Sequence, residues 1–409
     1  MSQGFQPSNG VDGEESSSSL RIPGANGLRA IACLLVLGHH LFQRFNPEES
    51  NTFLKALHFF WIRGEAGVSM FFVLSGCLLS LPFWQAFSSG KPFPSIKRYA
   101  RLRAIRIVPA FWINLVICAV VSVVIFGMEF DFKKLITALL FLNNYHYSTF
   151  FPSEINGPLW SIGLEVSCYI LMPVVLLTIY RRTSTLRAAS TLLTLWIILL
   201  QLLNPLIISF FMTENKNKGW EFGIDGGAKQ WLPYWNTATF LTQFLLGSLA
   251  ALIIVWLGRK AIRKSFYFDA IALLLFLSAF AMLMFRLTPG SPDALSKQPY
   301  VSPFFATIIA ATLILLSQTL HVARLLDNHF FNLIAKLSFG VYLWHVFIIE
   351  IIARKFESSF VYFGVRNIGV WALISSVVVI ASFAIASISW RYMESPLLAK
   401  ARRGEVKQY

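Results

Sequence analysis

The sequence predicts an all-α polytopic membrane protein of about ten transmembrane helices with both termini cytoplasmic. Three observations carry this. Hydrophobic residues make up 56% of the chain and charged residues 13%, with a mean hydropathy of +0.61. Soluble domains carry about 25% charged residues. Apolar stretches near twenty residues, the length a helix needs to cross a bilayer, recur along the chain. Lysine and arginine gather in alternate connections, as they do in cytoplasmic loops.

The elements follow in order. Residues 1–24 are polar and serine-rich (SNGVDGEESSSS), the composition of a disordered tail, and the first apolar stretch lacks a signal-peptide cleavage site. Spans are expected at about 27–45, 66–87, 107–127, 158–180, 188–212, 235–257, 266–286, 301–320, 333–353 and 367–390. Together they make a membrane domain over 25–397, followed by a basic tail over 398–409. LITALLFLNN at 135–144 is too short to span and is expected at the interface or as a re-entrant segment. The 38 Phe and 12 Trp suit a lipid-facing surface with interfacial aromatic belts. Cys33, Cys77, Cys118 and Cys168 have neither metal nor disulfide spacing, and no metal is required.

With the N-terminus inside, one inner loop carries Lys91, Lys97, Arg98, Arg101, Arg103 and Arg106. Later inner segments carry Arg181, Arg182 and Arg187, then Arg259, Lys260, Arg263 and Lys264, then Lys400, Arg402, Arg403 and Lys407. The opposite loops balance cations with acids, as in EFDFKK. The net charge of +15 is mostly this topology signal plus attraction to anionic lipid, and argues against a nucleic-acid partner.

Arg29 and His40 lie eleven residues apart in LRAIACLLVLGHHLFQRF. Eleven steps make almost three turns and about 16 Å of rise, so both side chains share a face, while His39 is rotated away by about 80°. An ionisable group at that depth costs about 2.5–3.5 kcal/mol on insertion scales, which makes it a functional candidate. A snorkelling arginine and a histidine bonded to a neighbouring helix explain the pair equally well at this stage. In RYARLRAIRIVPAFW, Arg103 and Arg106 sit three apart on one helical face at the mouth of the third span. Topology alone would place cations there; six in sixteen residues favours a phosphate clamp, since guanidinium pairs bidentately with phosphate. In NGPLWSIGLEVSCYILMP, Pro158 suits a first helical turn. Ser161, Glu165 and Tyr169 then recur every four residues as a polar stripe. Glu165 either pairs with a cation or orients an imidazole, and the two are compatible.

Fainter signals remain. Ser75-Gly76 in GVSMFFVLSGCLLS reads as close helix packing through small residues. His345 in SFGVYLWHVF reads as part of an aromatic interfacial belt, and Arg391 and Glu394 in WRYMESP as a structural ion pair.

GLRAIACLLVLGHH, GVSMFFVLSG, RAIRIVP, PLWSIGLEVSCYILMP, LSFGVYLWH and RYMESP, in this order, resemble the integral-membrane acyltransferase 3 family over about residues 25–397. The resemblance implies an O-acyltransferase that moves an acyl group, most commonly acetyl, from cytoplasmic acyl-CoA to a hydroxyl of a sugar, polysaccharide or glycolipid. It carries the family's arginine-ten-residues-histidine motif onto Arg29 and His40, its arginine pair onto Arg103 and Arg106, and its fourth-span motif onto Trp160, Ser161 and Glu165. Acyl-CoA is then a co-substrate and no cofactor is tightly bound. Some relatives append an extracytoplasmic hydrolase-like domain. This chain stops at Tyr409, so the expectation is a membrane unit that works alone or hands its acyl group to a separate extracytoplasmic transferase. The family default is a bacterial inner membrane.

The implied mechanism has Arg29, Arg103 and Arg106 holding the CoA phosphates. His40 serves as general base or nucleophile, with an ordinary imidazole pKa of about 6.5. Glu165 fixes its tautomer or stabilises the imidazolium. The rival is a proton-coupled transporter or a flippase using the buried histidine and glutamate as a relay; the arginine pair speaks against a carrier of neutral solutes. The acceptor pocket is expected in loops such as 213–234 and 287–300.

Overall fold

The computed structural model describes residues 22–214, 228, 231–260, 264–286 and 302–406. Most of the N-terminal tail, the last three residues and most of the two loops expected to hold the acceptor lie outside these. The described chain is helical, and a parallel bridge between Phe45 and Val365 is its one β feature. The helices are α1 (Ala25–Phe42), α2 (Thr52–Trp61), α3 (Gly67–Ser88), α4 (Ile96–Val124), α5 (Phe132–Leu139), α6 (Tyr147–Phe150), α7 (Trp160–Arg182) and α8 (Leu186–Glu214). They continue as α9 (Thr237–Arg259), α10 (Phe266–Arg286), α11 (Ser302–Leu316), α12 (Val322–Leu326), α13 (His329–Lys355), α14 (Ile368–Ser389) and α15 (Ser395–Val406).

Nine stretches among the described residues are long and apolar enough to cross a membrane. The span expected at 301–320 is instead a shorter apolar helix, Pro303–Leu316. That is short of the roughly 20 residues a crossing takes, and termini on one side of the membrane require it to cross. Burial sorts the helices into layers. In the most apolar windows of α1, of the α2–α3 stretch, of α9 and of α13, 67–78% of residues are inside the protein, against 17–33% in α4, α8, α10 and α14. The first set forms the centre and the second faces lipid.

Two close approaches hold that centre. A Cβ on Gly76 would lie 1.9 Å from the Phe244 carbonyl oxygen, and one on Gly247 would lie 1.9 Å from that of Val73. The backbones of α3 and α9 therefore touch, and only glycine fits on either side. Trp84 on α3 donates from Nε1 to Ser248 Oγ on α9 at 3.0 Å. At the far end of α1, Arg44 donates to Glu350 at 2.8 Å, and Glu350 also accepts from Arg354.

Several local expectations change. The arginine run that begins at Arg98 is not a loop: Ser95 caps α4 by accepting from Arg98 N–H, and the helix runs unbroken through Pro109. Arg, Ala, Leu and Lys favour that extension, and a proline inside a membrane helix is tolerated. The segment around 135–144 is, as expected, too short to span: it forms α5 and a 3-10 turn at Asn143–Tyr145, with Asn143 and Asn144 buried. Arg391 and Glu394 form no ion pair: a π-turn over Trp390–Glu394 shifts the side-chain register. Glu394 accepts instead from Ser389 Oγ at 3.1 Å, and Arg391 lies over the Tyr392 ring.

Candidate active site

A cavity of about 250 Å³ lies among α1, α3, α4, α7 and α13. Its polar lining is Arg29, Ser75, Arg103, Arg106, Ser161, Glu165, Tyr169, Ser338 and Tyr342, set among apolar side chains such as Phe71 and Phe339. Seven of the ten residues singled out from sequence (Arg29, Ser75, Arg103, Arg106, Ser161, Glu165 and Tyr169) thus share one space. The 3-10 turn at Gly157–Leu159, with Pro158 in its first positions, feeds into α7. From there Ser161 and Tyr169 are eight residues apart, so the cavity runs about 12 Å along that helix.

The electrostatics of the cavity are uneven. Arg29, Arg103 and Arg106 come from two helices, and the Nε atoms of Arg29 and Arg103 are buried with no hydrogen-bond partner. Among the described ion pairs, none includes any of the three. Glu165 is the one acid in the lining. Its Oε1 accepts from Tyr169 OH, one turn along α7, and from Ser75 Oγ at 3.4 Å across to α3. Three cations around one hydrogen-bonded carboxylate leave a formal charge of +2 in an apolar shell. Such a site favours a polyanion, because buried guanidinium left unpaired is costly and guanidinium matches phosphate geometrically.

At the end away from the arginines, Tyr342 closes the lining. Its hydroxyl lies 2.6 Å from Ser161 Oγ and donates to the Pro158 carbonyl at 3.0 Å. Three residues further along α13, about 4.5 Å of rise, stands His345. It is 1% exposed, and its Nε2 lies 3.2 Å from His40 Nδ1. His40 Nδ1 is also 2.8 Å from the Val36 carbonyl, while His345 Nδ1 is 2.9 Å from the carbonyls of both Val341 and Tyr342. The neighbouring His39 is turned to the Ile62 carbonyl at 2.6 Å. His40 is therefore not part of the arginine cavity; it sits just beyond its end.

Two expectations are corrected here. His345 belongs to no interfacial belt: it is buried against His40 across 305 residues of sequence. Glu165 makes no hydrogen bond to His40, because Ser75 and Tyr169 hold it lower in the cavity. Trp160 also lies outside the lining, stacked on Trp235 with centroids 4.2 Å apart and on Phe150. Tyr342 was missed from sequence. Its spacing of three from His345 put it on the same helical face, the signal that could have found it.

A family model described as an acyltransferase domain matches residues 22–387. The chain is similar to O-acetyltransferase OatA of Staphylococcus aureus, with 26% identity over 406 residues, 95% of this chain and 59% of that protein. It is likewise 26% identical over 402 residues to peptidoglycan O-acetyltransferase OatA of Listeria monocytogenes, covering 92% of this chain and 56% of that one. It is 25% identical over 404 residues to the putative peptidoglycan O-acetyltransferase YrhL of Bacillus subtilis, covering 93% and 56%. The chain thus spans less than two-thirds of the length of these relatives. No solved structure gives a significant match. With nine apolar spans among the described residues and a family match over residues 22–387, the chain belongs to the integral-membrane acyltransferase 3 family.

Proposed function

We propose that the protein is a membrane O-acyltransferase that takes an acetyl group from cytoplasmic acetyl-CoA and delivers it to a sugar hydroxyl of a cell-envelope polysaccharide or glycolipid. The observation that carries this reading is the cavity: three guanidiniums outside the described ion pairs line it, and its far end at Tyr342 lies one turn of α13 from His345, whose ring contacts His40. The named activities of the relatives in Staphylococcus, Listeria and Bacillus support acetyl as the group moved, and two of those names support peptidoglycan as an acceptor of this class.

In this reading Arg29, Arg103 and Arg106 bind the CoA phosphates. The pantetheine arm lies along the lining from Tyr169 to Ser161, beside the Glu165 carboxylate that Ser75 and Tyr169 hold. Tyr342 stands between this arm and His40, so the thioester reaches the imidazole past its ring. His40 acts through Nε2 as general base on the acceptor hydroxyl, or as the nucleophile that first accepts the acetyl group. The acceptor receives it directly or through a separate extracytoplasmic transferase. The membrane is the bacterial inner membrane, where acyl-CoA meets the arginine-rich side.

The test uses membranes containing the wild type or His40→Ala, supplied with acetyl-CoA labelled in the acetyl group. Label should move to extracted glycan or lipid with the wild type and fall by at least about 100-fold with the variant, the scale of losing a general base. Full transfer by His40→Ala would remove His40 from the mechanism. Absence of acetyl-CoA turnover and binding in the wild type would sink the acyltransferase reading.

A further inference from the structure

We infer that His345 is a positioning residue for His40: it holds the His40 ring as the tautomer protonated at Nδ1 and shares the positive charge that ring acquires during transfer. The inference rests on His40 being the group that handles the acyl transfer.

The argument is one of donors and acceptors. His345 Nδ1 faces two backbone carbonyls, Val341 and Tyr342, each at 2.9 Å. Carbonyls only accept, so Nδ1 carries the hydrogen, and Nε2 of the neutral ring presents a lone pair. That lone pair lies 3.2 Å from His40 Nδ1, which also faces the Val36 carbonyl at 2.8 Å. Both neighbours of His40 Nδ1 are acceptors, so its hydrogen is fixed there. Nε2 of His40 is left unprotonated, and it makes no hydrogen bond within the described residues. Such fixing of one ring nitrogen by the partner of the other is how a histidine base is oriented in general. No other titratable neighbour fills the role. His39 is committed to Ile62, Arg44 is a donor committed to Glu350, and Glu165 is held by Ser75 and Tyr169.

The same contact serves the reaction. In direct transfer the acceptor oxygen attacks the thioester carbonyl and its proton moves to His40 Nε2. The carbon–sulfur bond then breaks and the departing thiolate takes that proton as the CoA thiol. While the proton is on Nε2, His40 is a cation with Nδ1–H aimed at a neutral imidazole, and the charge spreads over both rings. In the covalent route Nε2 attacks, the carbon–sulfur bond breaks and CoA leaves as thiolate; the acceptor oxygen then takes the acyl group, its proton goes through His40 Nε2 to the thiolate, and the Nε2-acyl imidazolium between the two steps makes the same Nδ1–H contact. Either way His345 acts when charge develops, and does little for CoA affinity.

The experiment compares full-length wild type, His345→Ala, His345→Gln and His40→Ala in membranes. It measures kcat and KM for labelled acetyl-CoA, and the thermal shift on acetyl-CoA binding. Glutamine places a side-chain carbonyl oxygen near the position of His345 Nε2, so it keeps an acceptor for His40 Nδ1–H. His345→Ala should lower kcat by at least about 100-fold, since losing the partner that orients a catalytic histidine costs up to about 10⁴-fold. KM should stay within about two-fold, and His345→Gln should recover at least about ten-fold of the loss. A loss carried by KM, or a His345→Gln variant no better than His345→Ala, overturns the inference. So does loss of acetyl-CoA binding in both His345 variants, which would make the residue a packing element. An inactive His40→Ala beside a fully active His345→Ala sinks this inference alone, whereas an active His40→Ala sinks the base assignment beneath it.

Discussion

At the scale of single residues, the three arginines are separable from the histidines by what they are asked to do. Arg29 and Arg103 each bury an Nε with no partner on the cavity wall, a cost that a bound anion would offset. Hydrogen bonds to charged groups are worth about 1.5–3 kcal/mol each. Arg103→Ala should therefore raise KM for acetyl-CoA by about 10- to 100-fold with a smaller change in kcat, and Arg103→Lys should recover only part, since an ammonium cannot pair bidentately. Steady-state kinetics with acetyl-CoA varied would check this, and an unchanged KM would remove Arg103 from the binding site. Glu165 gives the opposite sign. Glu165→Gln removes the one negative charge among three cations and keeps an acceptor for Tyr169, so CoA itself should bind at least as tightly, measured by calorimetry. Weaker binding would mean that the carboxylate organises the guanidiniums rather than opposing the ligand. Arg29 and Glu165 were legible in the sequence because a charge in an apolar stretch announces itself, whereas Arg103 and Arg106 stood out only by their spacing of three within a cation cluster. His345 was not: its partner is 305 residues away, and a histidine among aromatics has an ordinary explanation within its own segment.

At the scale of elements, helix existence followed from apolar length, and the errors fell at ends and joints. The start of α4 was misplaced because arginines read as a loop signal, whereas Ser95 and a run of good helix formers carry the helix into the polar region. That extension matters to the site, since it puts Arg103 and Arg106, whose spacing already placed them on one helical face, on the same rigid helix as the span. The misread Arg391 and Glu394 have a comparable cause: sequence spacing assumes 3.6 residues per turn, and the π-turn at Trp390–Glu394 breaks that count. The α3–α9 contact is the joint on which the cavity wall depends, because Ser75 lies beside Gly76. Gly247→Val would drive a side chain into the Val73 carbonyl and should cost about 1–3 kcal/mol or more through overpacking. The expected result is a lowered thermal midpoint in detergent with activity lost in parallel. Gly258→Ala on the same helix meets nothing within 4 Å and should leave both unchanged, which makes it the control.

At the scale of the whole molecule, the mechanism depends on which side of the membrane the arginine cavity faces, and geometry alone does not supply the side. Charge does: Lys91 and the arginines of α4 lie at the end of the bundle that the positive-inside rule assigns to the cytoplasm, the compartment that holds acyl-CoA. The four native cysteines are all buried, so surface cysteines can be introduced against a quiet background. Glu48 and Lys91 are both exposed and lie on opposite sides of the α2–α3 stretch. In intact cells a membrane-impermeant maleimide should label Glu48→Cys and leave Lys91→Cys untouched until the membrane is opened. Tilt or local thinning could move either residue by a few Å, but not across a hydrocarbon core about 30 Å thick. The reverse pattern would place Arg29, Arg103 and Arg106 outside, where no acyl-CoA is available, and the cavity would need another polyanion. Labelling of both from outside would mean that α3 does not cross, and the glycine-packed centre would have to be a membrane-surface bundle. The expected pattern leaves one arrangement: donor on the arginine side, acceptor on the side of Arg44, and the His40–His345 pair between them.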